Sequence, residues 1–458
     1  MTGDEASAVI LAAAEKVRAA GPSSPRVARD PVNLPAIRNW TDAIGDANPV
    51  YTDADVAARS KHQGLVAPPA MVQVWTMPGL QPPPADDATD PLGQMMRTLD
   101  VAGYPAVVAT NCAQTYHRYL RHGEVLSLQA ELADVTGPKR TALGEGWFVT
   151  TKNIWYSGGE PVAEMDWRVL KYKPTSAASP DGGVDANVQP ASLGPVMRPP
   201  DSPDTAFFWA GTHAGELRVQ RCGECGALRH PPGPACLSCR ATSNQGYVVA
   251  AGTGTVYSYV VHHHPPVPGK RLPLVIALVE LTEGVRMMAE LIGIEPDRVE
   301  VGMPVRTAFL RIDDDLVLPG WRPDDRRAPG ALPELAIDVT PTVVVSTAIA
   351  TRDFYPVHHD QAMARRSGSK DIFLNILTTT GLVQRYVTDW AGPDAVVRAV
   401  SVRLGVPCYA GDTLTFSGRA SAEPNGEQVI SVTGACSLGD HVTGTVRLAG
   451  PAASDGQR

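Results

Sequence analysis

The chain has 458 residues, which is too long for one hydrophobic core and predicts about three domains. Its net charge of −8, with 19% charged and 43% hydrophobic residues, argues against a disordered chain and against a nucleic-acid-binding protein. No window approaches ~18 uninterrupted apolar residues, so we expect no membrane-spanning segment.

The first 21 residues, MTGDEASAVILAAAEKVRAAG, predict an amphipathic helix. Acidic residues stand where a signal peptide needs basic ones, and Glu15 and Lys16 interrupt the apolar run. We therefore expect a cytoplasmic protein.

Two segments of the chain repeat each other. Residues 43–60 read AIGDANPVYTDADVAARS and residues 350–367 read ATRDFYPVHHDQAMARRS, identical at eight of eighteen positions without a gap. Each copy precedes a helix-like segment, APPAMVQVWTMPGL or DIFLNILTTTGLVQRYVTDWAG, and then alternating strand-like segments. One long helix wrapped by a curled antiparallel sheet is the hot-dog architecture, an α+β fold. The repeat thus predicts a pseudo-symmetric double hot dog, paired within one chain or across a dimer.

Two stretches rich in Pro, Gly, Ala, Ser and Asp, at 174–204 and 319–334, predict linkers. They divide the chain into a hot-dog domain at 1–175, a middle domain at 205–322 and a second hot-dog domain at 335–450.

The middle domain begins with a cysteine cluster, which we assign to a zinc ribbon at 205–243. The cysteines have the spacing C-x2-C, ten residues, C-x2-C, and are Cys222, Cys225, Cys236 and Cys239. Four thiolates favour tetrahedral Zn²⁺ and leave no open coordination position, so the site should be structural. A redox-active pair and a rubredoxin-like iron site are the alternatives. We expect His230 to be exposed rather than a ligand.

The rest of the middle domain predicts five or so short strands in a small closed barrel. Ribbon followed by barrel resembles the zinc-ribbon/OB-fold domain found beside acyl-CoA hydratases and thiolase-like enzymes. Residues 205–312 contain ten Lys or Arg and eight Asp or Glu, without the basic excess that a nucleic-acid-binding barrel needs. We expect a docking platform for a partner enzyme instead.

The second copy of the repeat resembles the signature of the MaoC-like, R-specific enoyl-CoA hydratases, over residues 338–449. Tyr355 replaces the usual Asn, and Asn375-Ile376 replaces the usual His-Gly. The resemblance implies His358 as base with Asp353 as its partner, and the Ile376 backbone amide as oxyanion donor. It further implies that Tyr355 and Asn375 contact the substrate.

This set of groups suits hydration of a double bond conjugated to a thioester. One group must take a proton from water and another must deliver a proton to the α-carbon. The enolate that develops on the thioester oxygen needs fixed donors, which the free amides of a helix N-terminus supply.

The first copy lacks both functions. Tyr51 stands where His is needed, and a tyrosine of pKa ~10 is a poor base. Pro69 falls at the position of the oxyanion donor and has no N–H. The N-terminal domain is therefore predicted to be catalytically degenerate, the alternative being another active site formed by Asp46 and Tyr51.

The complete domain order resembles a fusion of the two subunits of the actinobacterial steroid side-chain enoyl-CoA hydratase. That resemblance implies a bulky, 3-oxo-pregnadiene-carboxyl-CoA-like acyl-CoA substrate and a thiolase-fold, lipid-transfer-protein-like aldolase as partner. We also expect a homodimer. The competing hypotheses are a non-catalytic acyl-CoA-binding scaffold that recruits an aldolase, and another hot-dog enzyme such as a thioesterase.

Overall fold

The computed structural model describes residues 3–80, 90–141, 143–174, 196–200, 202–270, 272–313, 315–324 and 330–450. The chain forms two compact units. The first combines Met1–Val188 with Leu332–Arg458 and contains both copies of the repeat, whereas the second, Gln189–Ala331, contains the cysteine cluster.

The helices and strands are numbered in chain order. The α-helices are α1 (Gly3–Ala19), α2 (Leu34–Ile44), α3 (Ala54–Arg59), α4 (Pro91–Val101), α5 (Ala206–His213), α6 (Pro341–Ala350), α7 (Gln361–Arg366) and α8 (Ile376–Ala391). Short 3-10 helices span Pro49–Tyr51, Pro69–Thr76, Pro296–Arg298 and Pro356–His358. The strands are β1 (Arg26–Val27), β2 (Ala106–Tyr116), β3 (Leu126–Thr141), β4 (Gly144–Ser157), β5 (Glu160–Pro174), β6 (Arg218–Cys222), β7 (Leu228–Arg229), β8 (Gln245–Val249), β9 (Thr253–His262), β10 (Leu274–Leu281), β11 (Arg286–Leu291), β12 (Pro304–Asp313), β13 (Leu316–Pro323), β14 (Leu335–Val339), β15 (Val397–Leu404), β16 (Asp412–Ala422), β17 (Gln428–Cys436) and β18 (Gly439–Leu448).

The first unit is a double hot dog. Its ten-stranded antiparallel sheet has the order β1-β3-β4-β5-β2-β15-β18-β17-β16-β14. The two halves join where β2 pairs with β15, from Ala399 opposite Thr115 to Arg403 opposite Asn111. The predicted α+β fold is confirmed, and the two halves pair within one chain.

Helix α8 is the central helix of the C-terminal half. Asn375 begins it, because its Oδ1 accepts a hydrogen bond from the Thr378 amide, and Gly392 ends it with a φ of 84°. Twelve of its sixteen residues are buried, which fits a helix wrapped by a sheet. The predicted helix at 371–392 thus begins five residues later, after a loop in which Phe373 bridges to Tyr409.

In the described residues of the N-terminal half, no long helix follows the repeat copy in the way that α8 does in the C-terminal half. The segment after the first repeat copy forms only the 3-10 helix Pro69–Thr76, although nearly all of it is buried. Pro68 and Pro69 remove backbone donors and Pro78 follows its end, so a continuous α-helix is not favoured there. Helices α1 and α4 instead cover β3 and β4 through a separate apolar cluster. Helix α1 confirms the amphipathic helix predicted for the first 21 residues.

The second unit contains a three-stranded sheet, β7-β6-β8, and a closed barrel, β10-β11-β13-β12-β9. Both match the predicted zinc ribbon and OB-fold barrel. The linker expected at 319–334 is wrong for its first part, because Pro319–Pro323 belongs to β13 and Trp321 is fully buried in the barrel core. Of the linker expected at 174–204, residues 175–195 and 201 lie outside the described residues. Every helix in the described part of the chain is too short or too polar to cross a lipid bilayer.

Candidate functional site

The two copies of the repeat fold in the same way. In each, a helix leads into a tight turn in which an aspartate Oδ1 accepts a hydrogen bond from the amide two residues on: Asp46 from Asn48 at 3.1 Å, and Asp353 from Tyr355 at 3.3 Å. A 3-10 helix then ends at Tyr51 in the first copy and at His358 in the second. The local backbone is therefore shared, and the side chains decide what each copy can do.

The C-terminal copy brings an imidazole and a carboxylate together. His358 Nε2 lies 3.7 Å from Asp353 Oδ2, which is ion-pair range rather than a direct hydrogen bond. His358 Nδ1 lies 2.8 Å from the Phe373 carbonyl oxygen, to which it donates. Because Nδ1 carries the proton, Nε2 keeps its lone pair. His358 is 8% exposed, and burial lowers the pKa of its imidazole, which favours the neutral form.

The start of α8 lies in the same loop that anchors His358. Asn375 is 3% exposed, and its Nδ2 donates to Thr351 Oγ1 at 3.1 Å while its Oδ1 caps the Thr378 amide at 2.7 Å. The structure thus gives Asn375 a capping role, and its substrate contact stays a prediction. Within the described residues, the amides of Ile376 and Leu377 have no hydrogen-bond acceptor, so this helix end retains free donors.

Aromatic rings line His358. Phe373 contacts it edge-on, with ring centroids 4.9 Å apart, and the Tyr355 ring centroid lies 6.3 Å away. Tyr355 is 51% exposed, so it stands at the surface beside the buried imidazole. This position is compatible with the substrate contact predicted for Tyr355.

The corresponding region of the N-terminal half is filled by protein atoms. Gln384, a fully buried residue of α8, donates from Nε2 to the Tyr51 hydroxyl at 3.4 Å and accepts from the Ala70 amide at 2.8 Å. The amide next to Pro69 is therefore already satisfied. Gln384 was not identified from the sequence, although a glutamine within an otherwise apolar helical pattern is a usable signal.

The carboxylate of the N-terminal copy is also altered. Asp46 is 4% exposed, and its Oδ2 has no hydrogen-bond partner among the described residues. Burial raises the pKa of Asp46 to about 6, and burial raises the pKa of the Tyr51 hydroxyl well above its usual range. A phenol in this environment stays protonated and does not act as a base.

The cysteine cluster has the geometry of a metal site. The Sγ atoms of Cys222 and Cys239 are 3.7 Å apart, those of Cys225 and Cys236 are 3.6 Å apart, and all four lie within 4.8 Å of one another. A tetrahedral ion with Zn–S bonds of ~2.3 Å needs sulfur separations of roughly 3.8 Å, so the four thiolates fit structural Zn²⁺.

His230 lies outside the cluster, as expected, but it is only partly exposed. Its side chain is half-buried and contacts Phe208, with ring centroids 5.2 Å apart. His230 does not belong to the group of four ligand atoms. It therefore packs beside the ribbon, because an imidazole ring can bury its apolar faces against an aromatic neighbour.

Family models match four segments of the chain. A model described as "MaoC like domain" matches residues 327–440, and one described as "FAS1-like, dehydratase domain region" matches residues 19–165. Models described as "ChsH2, rubredoxin-like zinc ribbon domain" and "ChsH2, C-terminal OB-fold domain" match residues 209–245 and 247–310.

Individual proteins match large parts of the chain. The 3-oxo-4,17-pregnadiene-20-carboxyl-CoA hydratase alpha subunit of Mycobacterium tuberculosis is 54% identical over 316 residues, which are 69% of this chain and 98% of that protein. The beta subunit from the same organism is 61% identical over 117 residues, 26% of this chain and 91% of that protein. A solved structure, "Ltp2-ChsH2(DUF35) aldolase", is 50% identical and covers 28% of this chain and 98% of its own, with a TM-score of 0.27.

Proposed function

Because the chain belongs to the family of MaoC-like steroid side-chain enoyl-CoA hydratases, we propose that it adds water to a 3-oxo-pregnadiene-carboxyl-CoA thioester or a similarly bulky 2-enoyl-CoA. The observation that carries the proposal is the contrast between the two repeat copies. The C-terminal copy holds a neutral imidazole 3.7 Å from a carboxylate, beside a helix end with free amides. The N-terminal copy holds a buried phenol bonded to Gln384.

In the proposed reaction, one water molecule lies between His358 and Asp353. His358 Nε2 takes a proton from this water as its oxygen bonds to the β-carbon of the substrate. Asp353 orients the water and favours the imidazolium that forms. The electron pair of the double bond moves onto the thioester oxygen, where the Ile376 amide donates a hydrogen bond to the enolate. The imidazolium of His358 then gives this proton to the α-carbon, which restores the neutral imidazole and completes the addition of one water.

The experiment is a panel of straight-chain and steroid enoyl-CoA thioesters, incubated with the protein and followed by mass spectrometry. Wild-type protein should increase the mass of a steroid thioester by one water, whereas Asp353→Asn and His358→Asn should not. Release of free CoA would instead support a thioesterase. An unchanged mass in all reactions, with retained acyl-CoA binding, would support the scaffold hypothesis.

The middle unit has a different proposed role, which is to bind a thiolase-fold aldolase that cleaves the hydrated product. Its support is that residues 209–245 and 247–310 match the ribbon and barrel models named for ChsH2, and that a related solved structure is named as an Ltp2-ChsH2 aldolase. Co-elution of the full chain with such an aldolase in size-exclusion chromatography tests this role. The Cys236→Ser variant, which loses a zinc ligand, should elute separately.

Two further properties belong to this proposal. We expect a homodimer. Light scattering should then measure twice the 48.6 kDa mass of the chain. We also expect a cytoplasmic location, because a reducing compartment keeps the four zinc-binding thiols from forming disulfides.

A further inference from the structure

The turn before the catalytic aspartate contains an arginine in a glycine conformation. Arg352 has a φ of 57°, and the equivalent residue of the N-terminal copy, Gly45, has a φ of 70°. Positive φ brings the Cβ of an ordinary residue too close to its own backbone, so glycine is the residue that adopts it without steric cost. The N-terminal copy demonstrates that glycine suffices for this turn. A strained arginine beside a reaction centre therefore suggests a function for its side chain.

A second arginine lies close to the first. Arg352 Nη2 is 2.9 Å, and Arg29 Nη1 is 3.8 Å, from the position that a Cβ on Gly79 would occupy. Gly79 has a φ of 85°, so its backbone conformation as well as the nearby arginine disfavours a side chain at this position. Arg29 follows β1 and Arg352 follows α6, so two separate parts of the fold place their guanidinium groups beside Gly79.

Neither arginine has an anionic partner in the described part of the chain. No ion pair or hydrogen bond engages either side chain there, and Arg352 Nε is buried without a partner. The arginine beside the N-terminal turn differs, because Arg385 donates to the Ile44 carbonyl oxygen at 2.8 Å and pairs with Asp389 at 3.3 Å. Arg29 is exposed and Arg352 is half-buried, so water screens part of the repulsion between the two charges, and an anion bound between them would convert the remaining repulsion into attraction.

We propose that Arg29 and Arg352 bind a phosphate group of the CoA part of the substrate, an inference that rests on the proposed hydratase function. The planar guanidinium group matches the oxygens of a phosphate ester in paired hydrogen bonds. Arg352 immediately precedes Asp353 in the chain. The same turn therefore holds the phosphate end of the substrate and orients the catalytic carboxylate. This arrangement favours CoA thioesters over thioesters that lack the phosphates.

The test compares 3-oxo-4,17-pregnadiene-20-carboxyl-CoA with the corresponding pantetheine thioester, which lacks all phosphates. Arg29→Gln and Arg352→Gln should each raise KM for the CoA thioester about tenfold with kcat unchanged, which is the size expected for one charged hydrogen-bonding group. Neither should change the kinetics of the pantetheine thioester. Arg352→Gly should raise KM equally while folding normally, because it restores the residue found at Gly45. Arg118→Gln, in which a surface ion pair with Glu124 is lost, should leave both substrates unaffected.

Equal losses on both thioesters, or unchanged KM values for the CoA thioester, would refute the assignment. A dephospho-CoA thioester distinguishes the source of the phosphate: it behaves like pantetheine if the arginines bind the 3′-phosphate and like CoA if they bind the diphosphate. Titration calorimetry with CoA alone separates this inference from the proposed function. If wild-type protein hydrates neither thioester, the hydratase proposal fails, whereas weaker binding of CoA by Arg29→Gln and Arg352→Gln still supports the phosphate site.

Discussion

Replacing His358 by Asn tests the assignment of the base. The Asn amide can still donate to the Phe373 carbonyl oxygen, but its own oxygen is far too weak a base to take a proton from water. Loss of a general base costs roughly 10²- to 10⁴-fold in rate. We expect about 10³-fold, or about 4 kcal/mol of transition-state stabilisation, since Asp353 remains as a weaker base. Initial rates follow from the ultraviolet absorbance of the conjugated thioester, and a loss smaller than tenfold would refute the assignment.

The neighbouring histidine provides a matched control. His359 Nε2 lies 3.1 Å from the Phe354 carbonyl oxygen, so its ring holds the same loop, whereas the histidine paired with Asp353 is His358. The variant His359→Asn should keep kcat within a few-fold of wild type. Comparable losses in both variants would mean that the loop has been disturbed rather than that a base has been removed.

Four other results are expected. The rate of hydration should fall only at a pH below 6.5, the usual pKa of histidine, because burial lowers the pKa of His358 and its imidazole acts as base only when neutral. A rate that begins to fall above pH 7 as the solution is acidified would contradict this. Asn375→Ala should destabilise the protein by about 1 kcal/mol in denaturant titration, through the lost cap on Thr378, and should also slow hydration. Asp46→Asn should increase the free energy of unfolding at pH 8 by up to about 3 kcal/mol. The pKa of Asp46 is raised in the folded protein, so the stability of the wild-type protein falls as pH rises from 3.8 to about 6, and Asn removes this loss. Equal stability of the two proteins at pH 8 would contradict this explanation. Metal analysis should find one zinc per chain in the ribbon. The Cys236→Ser variant should lose this zinc but should hydrate the steroid thioester as wild type does, because the ribbon and the hot dogs form separate compact units.

The features predicted most reliably from the sequence are those that depend on local spacing. The four cysteines define a ribbon by spacing alone, and the repeated loop fixes its own turn through Asp46 and Asp353. The repeat also indicated two equivalent domains, and β2 does pair with β15.

Features that depend on contacts between distant segments were not predictable. Pro319 to Trp321 have the composition of a linker, yet tertiary packing makes them a barrel strand, because burial of Trp321 outweighs the low strand propensity of Pro and Gly. Gln384 lies 333 residues from Tyr51, so no local pattern indicates that it occupies the degenerate site. The pairing of Arg29 with Arg352 depends on the same kind of long-range contact.

The most direct test of the division of labour between the two halves is mass spectrometry of 3-oxo-4,17-pregnadiene-20-carboxyl-CoA after incubation with wild-type protein, Tyr51→Phe and His358→Asn. We predict the gain of one water with wild-type protein and with Tyr51→Phe, and an unchanged thioester with His358→Asn. Loss of hydration in Tyr51→Phe while His358→Asn stays active would contradict the claim that the C-terminal half carries the chemistry.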